Sequence, residues 1–328
     1  MLSPAERRAK INAVIRVSAG NFLEMYDFII YGYYAKYIAD TFFPSGSEFI
    51  SLMQAFLAYG AGFLVRPLGA IVLGAYMDRM GRRKGLILSL SLMAVGTASI
   101  AFTPGYAEIG VLAPTIIVLG RLVQGFSSGV EIGGCSVYLA EIATPGNRGF
   151  YCAWQSGSQQ VAVMLSALLG VALTSVLVPE QMTQWGWRVP LLIGCLIIPV
   201  VFWLRRSLAE TEAFLCSTPA QRSREVFALI GANWQPVAIG VMMSILTTTT
   251  FYLITVYTPT FGSQALHLAP VSSMVVTLFV GLSNFIWLPI GGAISDRIGR
   301  RPLLFLVPCV ALLTAYPAMT WLVASPSF

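Results

Sequence analysis

Two sets of polar residues recur at helical spacing inside runs that are otherwise apolar. Asn21, Glu24, Asp27 and Tyr31 stand three and four residues apart in VSAGNFLEMYDFIIYGYYAKYIAD, so one helix carries them as a single stripe. Arg121, Gln124, Ser128 and Glu131, in GRLVQGFSSGVEIGG, fall within an arc of about 80° at 100° per residue. Two kinds of chemistry follow from these types. A guanidinium fork binds carboxylates two bonds at a time. A buried carboxyl exchanges a proton, because burial favours its neutral form and a neighbouring arginine its ionised form.

Other polar groups read two ways. Arg66, in a run that also holds Gln54 and Tyr59 and just before Pro67, serves equally as a structural partner of Glu24 or Asp27 and as a substrate contact. Arg121 and Glu131 read as anion and proton groups, or as members of a mutual or neighbouring ion pair. Trp154, Gln155, Ser158 and Gln159 share one face, with Gln160 beside it. Their neutral groups would solvate a carboxylate without fixing its charge, and helix packing accounts for them nearly as well. Thr247, Thr248, Thr249 and Thr250 lie near the centre of a later run that ends at Pro259. Their hydroxyls bond carbonyls four residues back and are expected to loosen the helix, baring donors or carbonyls to a ligand. Tyr252, Tyr257 and Asn284 add further polar groups, while Gly120, Gly125, Gly129, Gly133 and Gly134 read as helix-packing positions.

The elements that must hold these groups are membrane helices. The chain is 56% hydrophobic and 10% charged, whereas soluble domains carry about a quarter charged residues. A spanning helix takes about 20 mainly apolar residues. Nine runs qualify: 17–40, 50–77, 86–102, 113–140, 151–178, 189–204, 234–257, 272–294 and 303–323. They lack the alternation of a barrel strand, so they are helices. Glu24 and Asp27 interrupt the first run, which is therefore no cleavable signal. The third run has no ionisable residue and is expected to meet lipid, the sixth is apolar, and Arg66 and Arg121 are the deep cations.

With the N-terminus cytoplasmic, Arg7, Arg8, Lys10, Arg16, Arg79, Arg82, Arg83, Lys84, Arg148, Arg205, Arg206, Arg222, Arg224, Arg297, Arg300 and Arg301 share one side. Against them stand Arg188 and, near the outer end of the first span, Lys36. That asymmetry predicts the orientation. The net charge of +6 thus sits in loops flanking spans, where lipid headgroups rather than nucleic acid are the partners. Cys135, Cys152, Cys195, Cys216 and Cys309 show neither metal-ligand spacing nor a disulfide framework, and His267 reads as an ordinary loop side chain.

The loop GAYMDRMGRRKG, with Asp78, is written again as GAISDRIGRRP, with Asp296. Two similar halves marked by matching loops point to a transporter whose substrate lies between them. The chain resembles the major facilitator superfamily through these GxxxDRxGRR loops. Within it, NFLEMYDF, GRLVQGFSSGVEIGG, YLAEIATPGNRG and RRSLAETEAFL are similar to the metabolite:proton symporters. With WQSGSQQ, TTTTFYLITVYTPTFG and GLSNFIWLPIGGAISDRIGRRP they most resemble the citrate and tricarballylate permeases of enteric bacteria, along the whole sequence.

The resemblance implies an all-α membrane protein of two six-helix bundles, with a cavity lined by the first, fourth, seventh and tenth helices. Residues 1–204 are then the first bundle, 205–233 a cytoplasmic connector, and 234–328 the first half of the second bundle. Six spans against three predict a quarter of the fold beyond Phe328. The expected activity is import of citrate or a related tricarboxylate by proton symport, in a bacterial inner membrane, by a monomer without a cofactor. Arg121 is the first choice for substrate contact, with Gln124, Gln155 and Gln159 in support, and Arg66, Tyr31, Thr248, Tyr252 and Asn284 around them. Asp27 and Glu24, with Glu131 and Asn21, are the coupling candidates.

In the resemblance Asp78, Arg79, Arg82 and Arg83 form one gating loop, and Asp296, Arg297 and Arg300 the other, with Asp296 facing the fifth helix near Gly149. The partner expected for Asp78 lies in the missing part. Many relatives have a second glycine at Val130, which would alter packing near Glu131. Sodium coupling, through Asp27, Asn21 and carbonyls near residues 247–250, is the nearest alternative. Carriage of another small organic acid or a betaine-like osmolyte, and a non-transporting membrane receptor or assembly protein, are the others. No nucleophile and base pair, metal cluster or phosphate loop suggests an enzyme.

Overall fold

The computed structural model describes residues 3–215, 231–252, 254–255 and 270–324, and every regular element among them is helical. Cys216, Arg222, Arg224, Tyr257, Pro259 and His267 lie outside the described residues. A capping box opens the first helix. Ser3 Oγ accepts from the Glu6 N–H at 3.3 Å, Glu6 Oε2 accepts from the Ser3 N–H at 2.8 Å, and Pro4 occupies the first helical position. Helix α1 (Pro4–Tyr33) therefore joins the basic N-terminal arm to the first span. The expected span 17–40 is broken after Tyr33, and α2 (Ala35–Phe42) follows. Gly32 weakens the last turn, and Tyr34 leaves the helical region at φ −104°, ψ 15° while its N–H bonds Ile30 O at 3.1 Å.

Helices α3 (Glu48–Met80), α4 (Arg82–Phe102), α5 (Leu112–Ile142), α6 (Arg148–Val176) and α7 (Arg188–Arg206) complete the first half. Helices α8 (Trp234–Tyr252), α9 (Pro270–Ile298) and α10 (Arg300–Ala324) follow. Among the described residues, α3 to α7, α9 and α10 are long and apolar enough to cross a membrane. Helices α1 and α8 fall outside that set among the described residues, α1 carrying Asn21, Glu24 and Asp27 within its apolar run. No break forms at Thr247, Thr248, Thr249 and Thr250. Helix α8 runs through them, with Thr247 and Thr250 donating to the carbonyls of Met243 at 3.1 Å and Leu246 at 2.8 Å.

Helix α5 is the axis of the first half. Helices α3 and α4 lie along it, α7 lies on α4, α6 on α1, and α9 on α6. A side chain at Gly125 would overlap the Gly62 backbone, and one at Gly129 the Arg66 carbonyl. Small residues thus let α5 and α3 touch main chain to main chain. Gly133 faces open space, so the packing reading does not extend to it. The two repeated loops share their geometry as well as their letters. Gly81 and Gly299 turn at φ 109° and 99°, a region glycine alone enters freely, and Asp78 and Asp296 each pair with the arginine four residues on.

Candidate substrate and proton-coupling site

Asp27 on α1 and Arg121 on α5 face each other, with Oδ2 3.5 Å from Nη1. The same Oδ2 accepts from Gln124 Nε2. That nitrogen also donates to Thr97 Oγ1 on α4 at 2.9 Å, and Thr97 donates in turn to the Met93 carbonyl at 3.1 Å. Arg121 is fully buried, at 0% exposure. Its guanidinium carbon sits 3.8 Å from the Tyr31 ring centre, where the ring's negative face attracts a cation. Tyr31 is itself held, since its hydroxyl donates to Ala55 O at 3.1 Å and Tyr59 stacks on it at 5.5 Å. Yet Nε, Nη1 and Nη2 of Arg121 have no hydrogen-bond partner among the described residues. A buried guanidinium in that condition is prepared for an anion.

Glu24 and Arg66 form a second pair at 3.3 Å. The rings of Phe28 and Phe63 each lie 4.4 Å from the Arg66 guanidinium carbon and enclose it. Tyr252, from the end of α8, meets Phe63 edge-on at 6.4 Å and so reaches the rim of this group. Thr248 does not; it is exposed on α8. Phe28, Phe63 and Thr97 were not anticipated from the sequence. Phe28 adjoins Asp27 and Phe63 stands three residues before Arg66, a readable signal, whereas nothing marks Thr97. Helix α4 also turns a polar face inward, burying Ser89 and Thr97 against α5, while Val95 and Phe102 on it are exposed.

Glu131 takes up the neighbouring ion pair that the sequence left open beside a coupling role. It is paired with Arg205, whose Nη1 lies 3.0 Å from Oε2 and whose Nη2 meets Oε1, while Ser89 Oγ donates to Oε2 at 2.7 Å. Arg205 is a third deep cation, fully buried in the last turn of α7 rather than free in a connector. Its guanidinium fills the space that a side chain at position 20 would take, so Gly20 on α1 is part of that site.

The description of the Major Facilitator Superfamily matches residues 17–328. The chain belongs to that superfamily. It is 58% identical to the citrate-proton symporter of Salmonella typhi, over 99% of this chain and 75% of that one. It is 34% identical to the alpha-ketoglutarate permease of Escherichia coli K12, over 99% of this chain and 75% of that one. Among solved structures, the proton:xylose symporter XylE bound to 6-bromo-6-deoxy-D-glucose superposes with a TM-score of 0.75 at 18% identity, covering 90% of this chain and 70% of that one. At that identity the likeness speaks for the major facilitator fold alone.

Other candidate residues of this superfamily member meet different partners. Asn21 Nδ2 donates to Gln155 O at 2.7 Å and Ser158 Oγ at 3.1 Å, and its Oδ1 accepts from Gln155 Nε2 at 3.2 Å and Gln159 Nε2 at 3.5 Å. These amides tie α1 to α6 and are not brought to Arg121 among the described contacts. Asn284 donates to Gln160 Oε1 at 3.4 Å, which ties α9 to α6.

The two repeated loops differ in what they touch. Asp296 accepts from the N–H groups of Gly149 at 2.7 Å and Phe150 at 2.9 Å, in the first turn of α6, and from Arg300 at 2.6 Å. Its side chain is 5% exposed, against 52% for Asp78, which pairs with Arg82. Arg82 also reaches Glu141 at 3.2 Å, and its N–H is taken by Glu210 at 2.8 Å. Arg83 donates to the Arg206 carbonyl at 2.5 Å, while Arg79 and Arg297 are exposed.

Proposed function

We propose that this chain imports citrate or a related tricarboxylate across a bacterial cytoplasmic membrane by proton symport with alternating access. The reading rests on Arg121, a fully buried guanidinium beside an aspartate and over an aromatic ring, with none of its three nitrogens hydrogen-bonded among the described residues. Similarity to citrate-proton symporters supplies the cargo and the coupling ion. The protein is a transporter and not an enzyme. We place its N-terminus in the cytoplasm on the distribution of its basic loops, and take the monomer as the working unit.

In this mechanism Asp27 and the cargo compete for one guanidinium. A proton from outside neutralises Asp27 and releases Arg121, which then takes a citrate carboxylate through its fork. The bundles rock, with α6 and α9 at their contact, and the chamber opens inward. Asp27 loses its proton to the cytoplasm, recovers Arg121, and the cargo leaves. Glu24 and Arg66 repeat the arrangement beside it. Gln124 holds the Asp27 carboxylate in place throughout.

Labelled citrate uptake into proteoliposomes tests the reading. An inward proton gradient is expected to drive accumulation and a protonophore to abolish it. Undiminished uptake with the proton gradient collapsed would overturn proton coupling, and no uptake of any tricarboxylate would overturn the cargo.

A further inference from the structure

We infer that the amide oxygen of Gln124 is a hydroxyl acceptor, and that the site selects carboxylates bearing a hydroxyl beside the carboxylate over analogues with hydrogen there. The inference rests on the tricarboxylate reading above. Thr97 Oγ1 gives its only proton to the Met93 carbonyl at 3.1 Å, so toward Gln124 it can only accept. The end of the amide that meets Thr97 at 2.9 Å, and meets Asp27 beyond it, is therefore the NH₂ end. Oε1 is left over. It is buried and has no hydrogen-bond partner among the described residues.

Helix α4 is shaped to hold this one amide. A side chain at Gly96 would overlap the Gln124 stem, so Gly96 provides the bed and Thr97, the next residue, the clamp. Arg121 Nη1 and Gln124 Nε2 converge on the same oxygen, Asp27 Oδ2. The guanidinium with unpartnered nitrogens and the amide with the unpartnered oxygen thus meet at one carboxylate oxygen. A hydroxy acid offers both complements from a single carbon: its carboxylate answers the guanidinium and its hydroxyl the amide oxygen. A ligand without the hydroxyl leaves a desolvated acceptor unpaired, a penalty that discriminates more strongly than missing apolar bulk does.

The test compares citrate with tricarballylate, which differs by that hydroxyl, as competitors of labelled citrate uptake in proteoliposomes. Wild type is expected to bind tricarballylate at least about tenfold more weakly than citrate. Gln124→Met keeps the length and removes the acceptor, so the ratio should fall close to one, whatever the loss of the Asp27 contact does to both ligands alike. Thr97→Val releases the clamp and should bring the ratio part of the way down. A wild type that takes both acids equally would overturn the inference while leaving tricarboxylate transport intact. So would a Gln124→Met protein that weakens both ligands together and keeps the ratio. A wild type that carries neither acid would overturn both readings.

Discussion

Arg205 of α7 and Glu131 of α5 form an ion pair in which neither side chain is more than 4% exposed, with Ser89 donating to the carboxylate and the Leu86 carbonyl accepting from the guanidinium. Arg205→Met or Glu131→Gln alone would strand a charge, with an expected loss on the order of 3 to 5 kcal/mol of stability. The double variant should recover much of that loss. Thermal melts of the four proteins in detergent close the cycle, and additive losses would show that the two residues are not coupled.

Arg121 is expected to matter for cargo more than for folding, since its guanidinium makes no hydrogen bond within the described protein. Arg121→Gln should lower citrate uptake by about a hundredfold, and Arg121→Lys should restore only part of it, because a point charge replaces a planar fork. Arg121→Lys should melt closer to the wild-type temperature than Arg121→Gln, which leaves the buried Asp27 carboxylate without its cation. Full uptake by Arg121→Gln would remove Arg121 from the site.

Asp27 sets the pH dependence. Its ionised form holds Arg121, so protonation frees the guanidinium, and citrate loading should strengthen as the outside pH falls. Asp27→Asn should exchange citrate across the membrane yet fail to accumulate it when a proton gradient is imposed. Any pH dependence left in the exchange by that variant belongs to citrate itself, to Glu24 or to other groups. Accumulation by Asp27→Asn at the wild-type level would exclude Asp27 as the carrier.

The two loop aspartates should respond unequally. Asp296→Asn weakens two charge-assisted bonds to the first turn of α6, and a loss of about 1 kcal/mol is expected, as for other helix N-terminal acceptors. Asp78→Asn loses only its exposed pair with Arg82 among the described contacts, and its effect on melting should be smaller. Equal shifts would mean that Asp78 has a comparable partner.

Much of this was legible because period and charge are strong signals in an apolar chain. The stripes on α1 and α5 follow from the 3.6-residue turn, and Asp27 meets Arg121 because both stripes must turn from lipid. Pairing across helices was not legible. Glu131 reads as a partner of Arg121 only until α7 brings Arg205 to it, and Arg205 sits in a basic pair that looks like an ordinary cytoplasmic flank. Thr97 escaped notice because a lone threonine in an apolar helix usually bonds its own backbone, as this one does while also receiving Gln124. The amides of Gln155 and Gln159 were drawn toward Arg121 by chemistry alone, and helix packing sent them to Asn21. The broken first span turned on a single glycine, a weak and local cue.

Two guanidinium groups and two carboxylates stand together between α1, α3 and α5, so the resting chamber is electrically balanced. A dianion entering while both acids take up a proton restores that balance. On that count the proposed cycle would present no net charge to the hydrocarbon around the helices if two protons accompanied each doubly charged citrate.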